Sequence, residues 1–142
     1  VIEETLDRTN LKNITKGDMV NLERSIKAST EIGGHLMSGH IHFSGKVKKI
    51  VDKKNTRDMQ ITLAKKYADY VMEKGYIGIN GCSLTIGKVN AGDFNIHLIP
   101  ETLDITNLGQ LLKGSLVNIE IDQNTITVVN TVKKTLATKV SG

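Results

Sequence analysis

Three histidines fall within eight positions of the stretch "EIGGHLMSGHIHFSG" (31–45): His35, His40 and His42. Imidazole titrates near neutrality, so such a cluster is a candidate for proton transfer or for metal binding. On a strand His40 and His42 share a face, while His35 lies beyond a glycine-containing bend. No nearby cysteine or carboxylate completes a tetrahedral set, and no metal is expected. A plain surface or hydrogen-bonded histidine is the competing reading of each. "NGCSLT" (80–85) is a second candidate, with Ser83 and Thr85 two apart, so that both hydroxyls face one side of a strand. Such pairs commonly do no more than satisfy neighbours. Cys82 points to the opposite face and is expected in the core. "IPETLDIT" (99–106) sets Glu101, Thr102 and Thr106 beside the only proline, Pro100, which also describes an ordinary helix start. Asp122, next to an apolar strand, is first of all an N-cap.

The elements that must position these groups read as short strands. "GHIHFSGKVKKIVD" alternates with a bend at Gly45, and "RDMQITL" (57–63) follows the turn residue Asn55. "AKKYADYVMEKG" (64–75) places Tyr67, Tyr70, Val71 and Lys74 at helical spacing and stops on Gly75, which predicts a helix. "YIGING" and "CSLTIGKV" form a hairpin through Asn80-Gly81, "DFNIHLI" a further strand closed by Pro100, and "SLVNIEI" (115–121) the last one. "ETLDITNLG" reads as a short helix or turn. Five or six strands with one small helix and glycine-rich corners predict a closed six-stranded Greek-key barrel, a mainly β fold. A final helix over about 123–139 carries Val129, Val132, Leu136 and Val140 as a narrow apolar stripe. Packing on its own barrel and forming an oligomer seam both fit that stripe.

Glu4–Glu23, "ETLDRTNLKNITKGDMVNLE", repeats as Glu101–Glu120, "ETLDITNLGQLLKGSLVNIE", at an offset of 97 residues with 12 of 20 positions identical. The chain therefore contains a duplicated module, too long in period for a solenoid unit. A complete first module would begin about sixty residues before Val1, so a partial chain is expected. The resulting division is 1–34 for the end of a first barrel and linker, 35–121 for a complete second barrel, and 122–142 for a C-terminal helix.

Composition excludes several classes. At 142 residues the chain is 39% hydrophobic and 24% charged, ordinary for a folded domain. The net charge of +4 is scattered and aromatics are only 4%, which speaks against a nucleic-acid partner. No apolar run approaches the roughly 20 residues of a membrane span. A single cysteine cannot form an intrachain disulfide and suits a reducing cytoplasm.

"ETLDRTNL", "GGHLMSGHI", "GYIGINGCSLT", "LIPETLDITNLG" and "VNIEID", taken in order, closely resemble riboflavin synthase of the bacterial two-barrel type. The resemblance runs from Val1 into the final helix. It implies two similar barrels and a C-terminal helix through which a homotrimer assembles. It implies a transferase reaction without metal or redox cofactor: two molecules of 6,7-dimethyl-8-ribityllumazine exchange a four-carbon unit, giving riboflavin and 5-amino-6-(ribitylamino)uracil. Carried over residue by residue, the implied substrate contacts are Val1, Ile2, Glu3, Glu4 and Thr5 from the first barrel. From the second they are Gly39, His40, Ile41, Lys74, Ser83, Leu84, Thr85, Ile99, Pro100, Glu101, Thr102, Leu103 and Asp104. His40, with His35, is the implied proton-transfer group, and Ser83 with Asp122 the pair that activates or stabilises the attacked position. Non-catalytic barrels of the same fold, which carry lumazine or flavin as antenna chromophores, are the alternative implied function.

Overall fold

The computed structural model describes residues 2–27, 29 and 31–140. Val1 lies outside the described residues, as does the side chain of Val140. Alternating sequences at the expected places form six strands: β1 (Phe43–Asp52), β2 (Arg57–Thr62), β3 (Tyr76–Ile79), β4 (Cys82–Asn90), β5 (Asp93–Leu98) and β6 (Leu116–Ile121). They close antiparallel in the order β1-β2-β5-β4-β3-β6, a Greek-key barrel. The inward residues, among them Ile61, Ile77, Phe94, Ile96, Val117 and Ile119, are completely buried. Each such aliphatic side chain contributes roughly 1.5–3 kcal/mol by leaving water.

Two local devices make closure possible. β1 pairs with β6 over Phe43–Lys46 and with β2 from Val47 onward, with a register shift between Val47 and Lys49. Gly45 stands just before this change of partner, and a Cβ there would meet Ile61 Cγ2 at 2.8 Å and the Thr62 carbonyl at 3.2 Å. The β3–β4 corner is Asn80-Gly81, both at positive φ (48° and 82°), as a two-residue hairpin with matching twist requires.

The segment 64–75 departs from the predicted helix. Lys65–Tyr70 is a single 3-10 stretch, after which Val71 is extended and buried in the core. A turn closed by Gly75 N–H on the Met72 carbonyl follows, with Lys74 at φ 68°. Tyr67 packs against the core and donates to the His42 carbonyl at 2.9 Å, so its burial is met without a longer helix.

The repeat is visible in the backbone. α1 (Glu3–Arg8) and α2 (Pro100–Ile105) begin after Ile2 (φ −82°, ψ 160°) and Ile99 (φ −86°, ψ 161°). Each is followed by a 3-10 turn, Asn10–Asn13 or Asn107–Gln110, capped by a threonine hydroxyl, Thr9 or Thr106, that accepts the N–H two residues on. α3 (Gln123–Val140) starts at Asp122, whose carboxylate accepts Thr125 N–H at 2.9 Å and Asn124 N–H at 3.4 Å, the predicted N-cap. Tyr70 Oη donates to Asn130 Oδ1 at 2.7 Å and Lys133 pairs with Asp69 at 2.6 Å, tying the middle of α3 to the barrel. Of the apolar stripe, Val129 is half-buried whereas Val132 and Leu136 are exposed. No helix among the described residues is long and apolar enough to cross a membrane.

Candidate functional site

Ser83 and Thr85 stand on the outer face of β4, opposite Gly78 and Tyr76 of β3, while Cys82, Leu84 and Ile86 face the core. The linker before β1 crosses this outer face. Gly78 makes room for it: a Cβ there would meet Met37 Sδ at 2.8 Å and Glu120 Cβ at 3.1 Å. At Gly34 (φ 101°) any side chain would collide with Ser83. The close approach delivers His35 onto Ser83. The His35 N–H donates to Ser83 Oγ at 3.2 Å, and the His35 ring Nδ1 lies 2.6 Å from the same oxygen. The imidazole stacks on Tyr76 at 5.2 Å, and its Nε2 is buried with no hydrogen-bond partner among the described residues. A hydroxyl hydrogen-bonded to an oriented imidazole is an elementary unit for moving a proton.

Glu120 fixes the next turn of the linker. It is 6% exposed although it sits on the outer face of β6, because the linker covers it. Its carboxylate accepts Ser38 N–H at 2.7 Å, Ser38 Oγ at 3.0 Å and Gly39 N–H at 3.0 Å. His40 follows, exposed, with Nδ1 2.8 Å from Ser38 Oγ. His42 differs from both: its Nδ1 accepts the Ile121 N–H at 3.1 Å, and burial pushes its pKa below the usual histidine value against the pull of Glu120. A neutral, backbone-bonded His42 is structural. The three imidazoles thus have three separate sets of partners.

Asp122 stands at the end of β6 as the cap of α3. Burial works against its ionisation, but the Thr125 N–H and hydroxyl, the Asn124 N–H and the nearby His35 together hold its pKa below the ordinary carboxyl value. Asp122 thereby couples electrostatically to His35, and Ser83 bonds to His35 rather than to Asp122 among the contacts of the described residues.

A cavity of about 1010 Å³ opens beside this cluster, bounded by the 19–27 segment, the linker, the start of β4 and α2. Its size suits a small organic ligand. Of the residues singled out in the sequence, His35, Gly39, Cys82, Ser83, Leu84, Thr102, Asp104 and Thr106 line it. A second hollow of about 740 Å³ is lined by Pro100, Leu103 and Asp104, near Arg57. Lys74 and Thr85 are exposed neighbours at the far end of the hairpin, where the Lys74 N–H donates to the Ile86 carbonyl at 2.9 Å. His40, Ile99 and Glu101 are exposed, Ile41 is half-buried, and Ile2, Glu3, Glu4 and Thr5 belong to α1 and its cap; none of these lines either hollow. Sequence reasoning passed over Glu120 and Asn21. Both are identical across the repeat, to Glu23 and Asn118, which is the signal that marks them.

Residues 38–122 match the family model described as the lumazine binding domain. The chain is 48% identical to riboflavin synthase of Escherichia coli (strain K12) over 140 residues, covering 98% of this chain and 66% of that protein. It is 42% identical to riboflavin synthase of Chlamydia pneumoniae over 137 residues, covering 96% and 66%. The chain therefore spans about two thirds of the length of the curated relatives it matches. Among solved structures, LumP complexed with riboflavin superposes with a TM-score of 0.78 at 28% identity, over 86% of this chain and 66% of that one. LumP complexed with 6,7-dimethyl-8-(1'-D-ribityl) lumazine does so with a TM-score of 0.77 at 27% identity, over 86% and 65%. With its six-stranded barrel, its covered Ser83–His35 pair and a matching model over more than half its residues, the chain belongs to the lumazine-binding domain family.

Proposed function

We propose that this chain is the greater part of a riboflavin synthase and supplies one of its two lumazine sites. The observation that carries the reading is the Ser83–His35 hydrogen bond at the edge of the 1010 Å³ cavity, in a chain 48% identical to a riboflavin synthase. Two molecules of 6,7-dimethyl-8-ribityllumazine dismutate to riboflavin and 5-amino-6-(ribitylamino)uracil. Residues 1–34 act as the end of a first barrel, the barrel of 35–121 as the second, and 122–142 as the helix that assembles a homotrimer in the cytoplasm.

The chemistry asks for little acid–base strength. Loss of a proton from the lumazine C7 methyl gives a carbanion spread over the ring, so positioned donors matter more than a strong base. Holding two reactants in register can lower the barrier by roughly 7–11 kcal/mol. Ser83, oriented by His35 with Asp122 nearby, donates to or activates the attacked position. His40, exposed and next to Gly39 at the cavity rim, is placed to exchange a proton with solvent. Thr102 and Asp104 meet the ligand from α2, and Lys74 with Thr85 reaches its outer end.

Titration of the chain with 6,7-dimethyl-8-ribityllumazine, followed by ligand fluorescence and by riboflavin formation, tests the reading. One ligand should bind per chain, and Ser83→Ala should lower riboflavin formation about 100-fold while changing affinity far less. Absence of binding would sink the proposal. Binding with turnover insensitive to Ser83→Ala and His35→Ala would remove the roles assigned here. Tight binding with no product in any assembly of the chain would favour a carrier, the reading to which the likeness to LumP points.

A further inference from the structure

Asn10 and Asn107 occupy equivalent positions of the repeat, and so do Asn21 and Asn118. Their hydrogen bonds are equivalent as well, and they run across the repeat rather than within it. The Asn10 N–H donates to Asn118 Oδ1 at 2.7 Å, and the Asn107 N–H donates to Asn21 Oδ1 at 2.7 Å. In return, Asn118 Nδ2 donates to Asn10 Oδ1 at 2.9 Å, and Asn21 Nδ2 donates to Asn107 Oδ1 at 3.0 Å. Each turn asparagine also reaches a backbone carbonyl of the other module, Asn10 that of Leu116 at 2.9 Å and Asn107 that of Met19 at 3.1 Å. Leu116 and Met19 are themselves equivalent positions. Asn80 at the β3–β4 corner joins the two sets, because its Oδ1 accepts the Asn118 N–H at 2.8 Å and its carbonyl accepts Asn21 Nδ2 at 2.8 Å.

An amide engaged at both its oxygen and its nitrogen fixes position and orientation together, and linked amides strengthen one another. The 19–24 segment has little else to hold it. Leu22 is 92% exposed and Met19 63% exposed, so apolar burial does not anchor the segment. Among the described residues its polar attachment to the second module runs through Asn21 and the Met19 carbonyl.

We propose that Asn10, Asn21, Asn107 and Asn118 form a reciprocal lock between the two modules, in which the 3-10 turn of each clasps the last strand, or strand-like segment, of the other. They act by positioning: the lock sets the 19–24 segment as a wall of the cavity at a fixed place relative to Ser83 and His35. The consequence for bound lumazine rests on the function proposed above, whereas the lock itself does not.

Hydrogen–deuterium exchange of the 142-residue chain, read by peptide, tests the lock. Asn107→Ala should raise exchange in 19–24 about tenfold or more and leave 9–14 unchanged, and Asn10→Ala should do the reverse. Asn21→Ala added to Asn107→Ala should release 19–24 a little further, since it also removes the bond to the Asn80 carbonyl. Asn10→Ala added to Asn107→Ala should free 9–14 as well, because the Asn10 and Asn107 clasps share no direct hydrogen bond. The backbone donor to Asn21 Oδ1 survives in both variants, but Asn107→Asp also keeps an acceptor for Asn21 Nδ2 and loses only the donor to the Met19 carbonyl, so it should fall between wild type and Asn107→Ala. Protection of β2 and β5 verifies the barrel in every variant. Wild-type exchange in 19–24 of Asn107→Ala, or a uniform rise over the whole barrel in every variant, would overturn the lock. A lumazine titration separates the two ideas: Asn107→Ala should weaken binding about fivefold or more, and Asn10→Ala should leave it within about twofold. A wild-type chain that binds no lumazine yet shows the coupled exchange refutes the function and keeps the lock. Binding with uncoupled exchange does the opposite.

Discussion

Asp122 has two tasks at one place, as the cap of α3 and as a charge near His35. Because its pKa is held below the unfolded value, its contribution is fully present above about pH 4 and is lost as the pH falls through the folded pKa. Asp122→Ala should therefore cost about 1 kcal/mol near neutrality, and the difference from wild type in urea unfolding should close as the pH drops from about 5 towards 2. A gap that stays constant over that range would mean that the carboxylate contributes nothing as an ion. Asp122→Asn separates the tasks: it keeps an acceptor for the Thr125 N–H and removes the charge, so helix stability should largely survive. Glu120 shows why side chains of this kind are hard to read from sequence. In "LVNIEI" it falls on the polar side of a simple alternation, which is correct for the barrel, yet it is buried by a linker whose path the alternation does not encode.

Elements obey the same division between local and non-local causes. The six strands, the Asn80-Gly81 corner and the start of α3 follow from signals within a few residues, and the sequence carries all of them. The helix predicted over 64–75 fails because Tyr67, Tyr70 and Val71 match a helical period only by count. The barrel uses Val71 as an extended core residue and Tyr67 as a lid on Phe43, with ring centroids 4.8 Å apart. The cavity was legible in part. The "SLT" and "IPETLD" motifs mark it, but the Ser83–His35 contact depends on a crossing that Gly34 and Gly78 permit and no periodicity announces. Gly45 gives the cleanest test at this scale, since its backbone needs no unusual φ while a Cβ would press on Ile61 and on the Thr62 carbonyl. Gly45→Ala should destabilise the barrel by about 1–3 kcal/mol. An unchanged denaturation midpoint would show that β1 yields at this point and that the change of partner does not depend on the close approach.

At the scale of the whole molecule, side chains of α3 as far as Lys133 tie the helix to its own barrel. Beyond Lys133 every described side chain of the helix is exposed, and Val128, Val132 and Leu136 stand in the open at 62%, 52% and 58%. Threonines line another part of the helix and bond back to carbonyls one turn earlier, as Thr131 does to Thr127 at 2.8 Å. They leave the apolar row as the surface with something to gain from leaving water. Three such helices side by side would bury that row against its copies while the Asp69–Lys133 and Tyr70–Asn130 ties hold each barrel at a set angle to the bundle. Sedimentation of the wild-type chain should then give a trimer. Leu136→Glu should give a monomer whose barrel melts as a folded domain, because the substituted residue touches no core side chain and three like charges would meet at the seam. A wild-type chain that remains monomeric at high concentration would remove the trimer. A trimer that survives Leu136→Glu would place the contact on the barrels instead, and with it the surface across which a second lumazine would have to be presented.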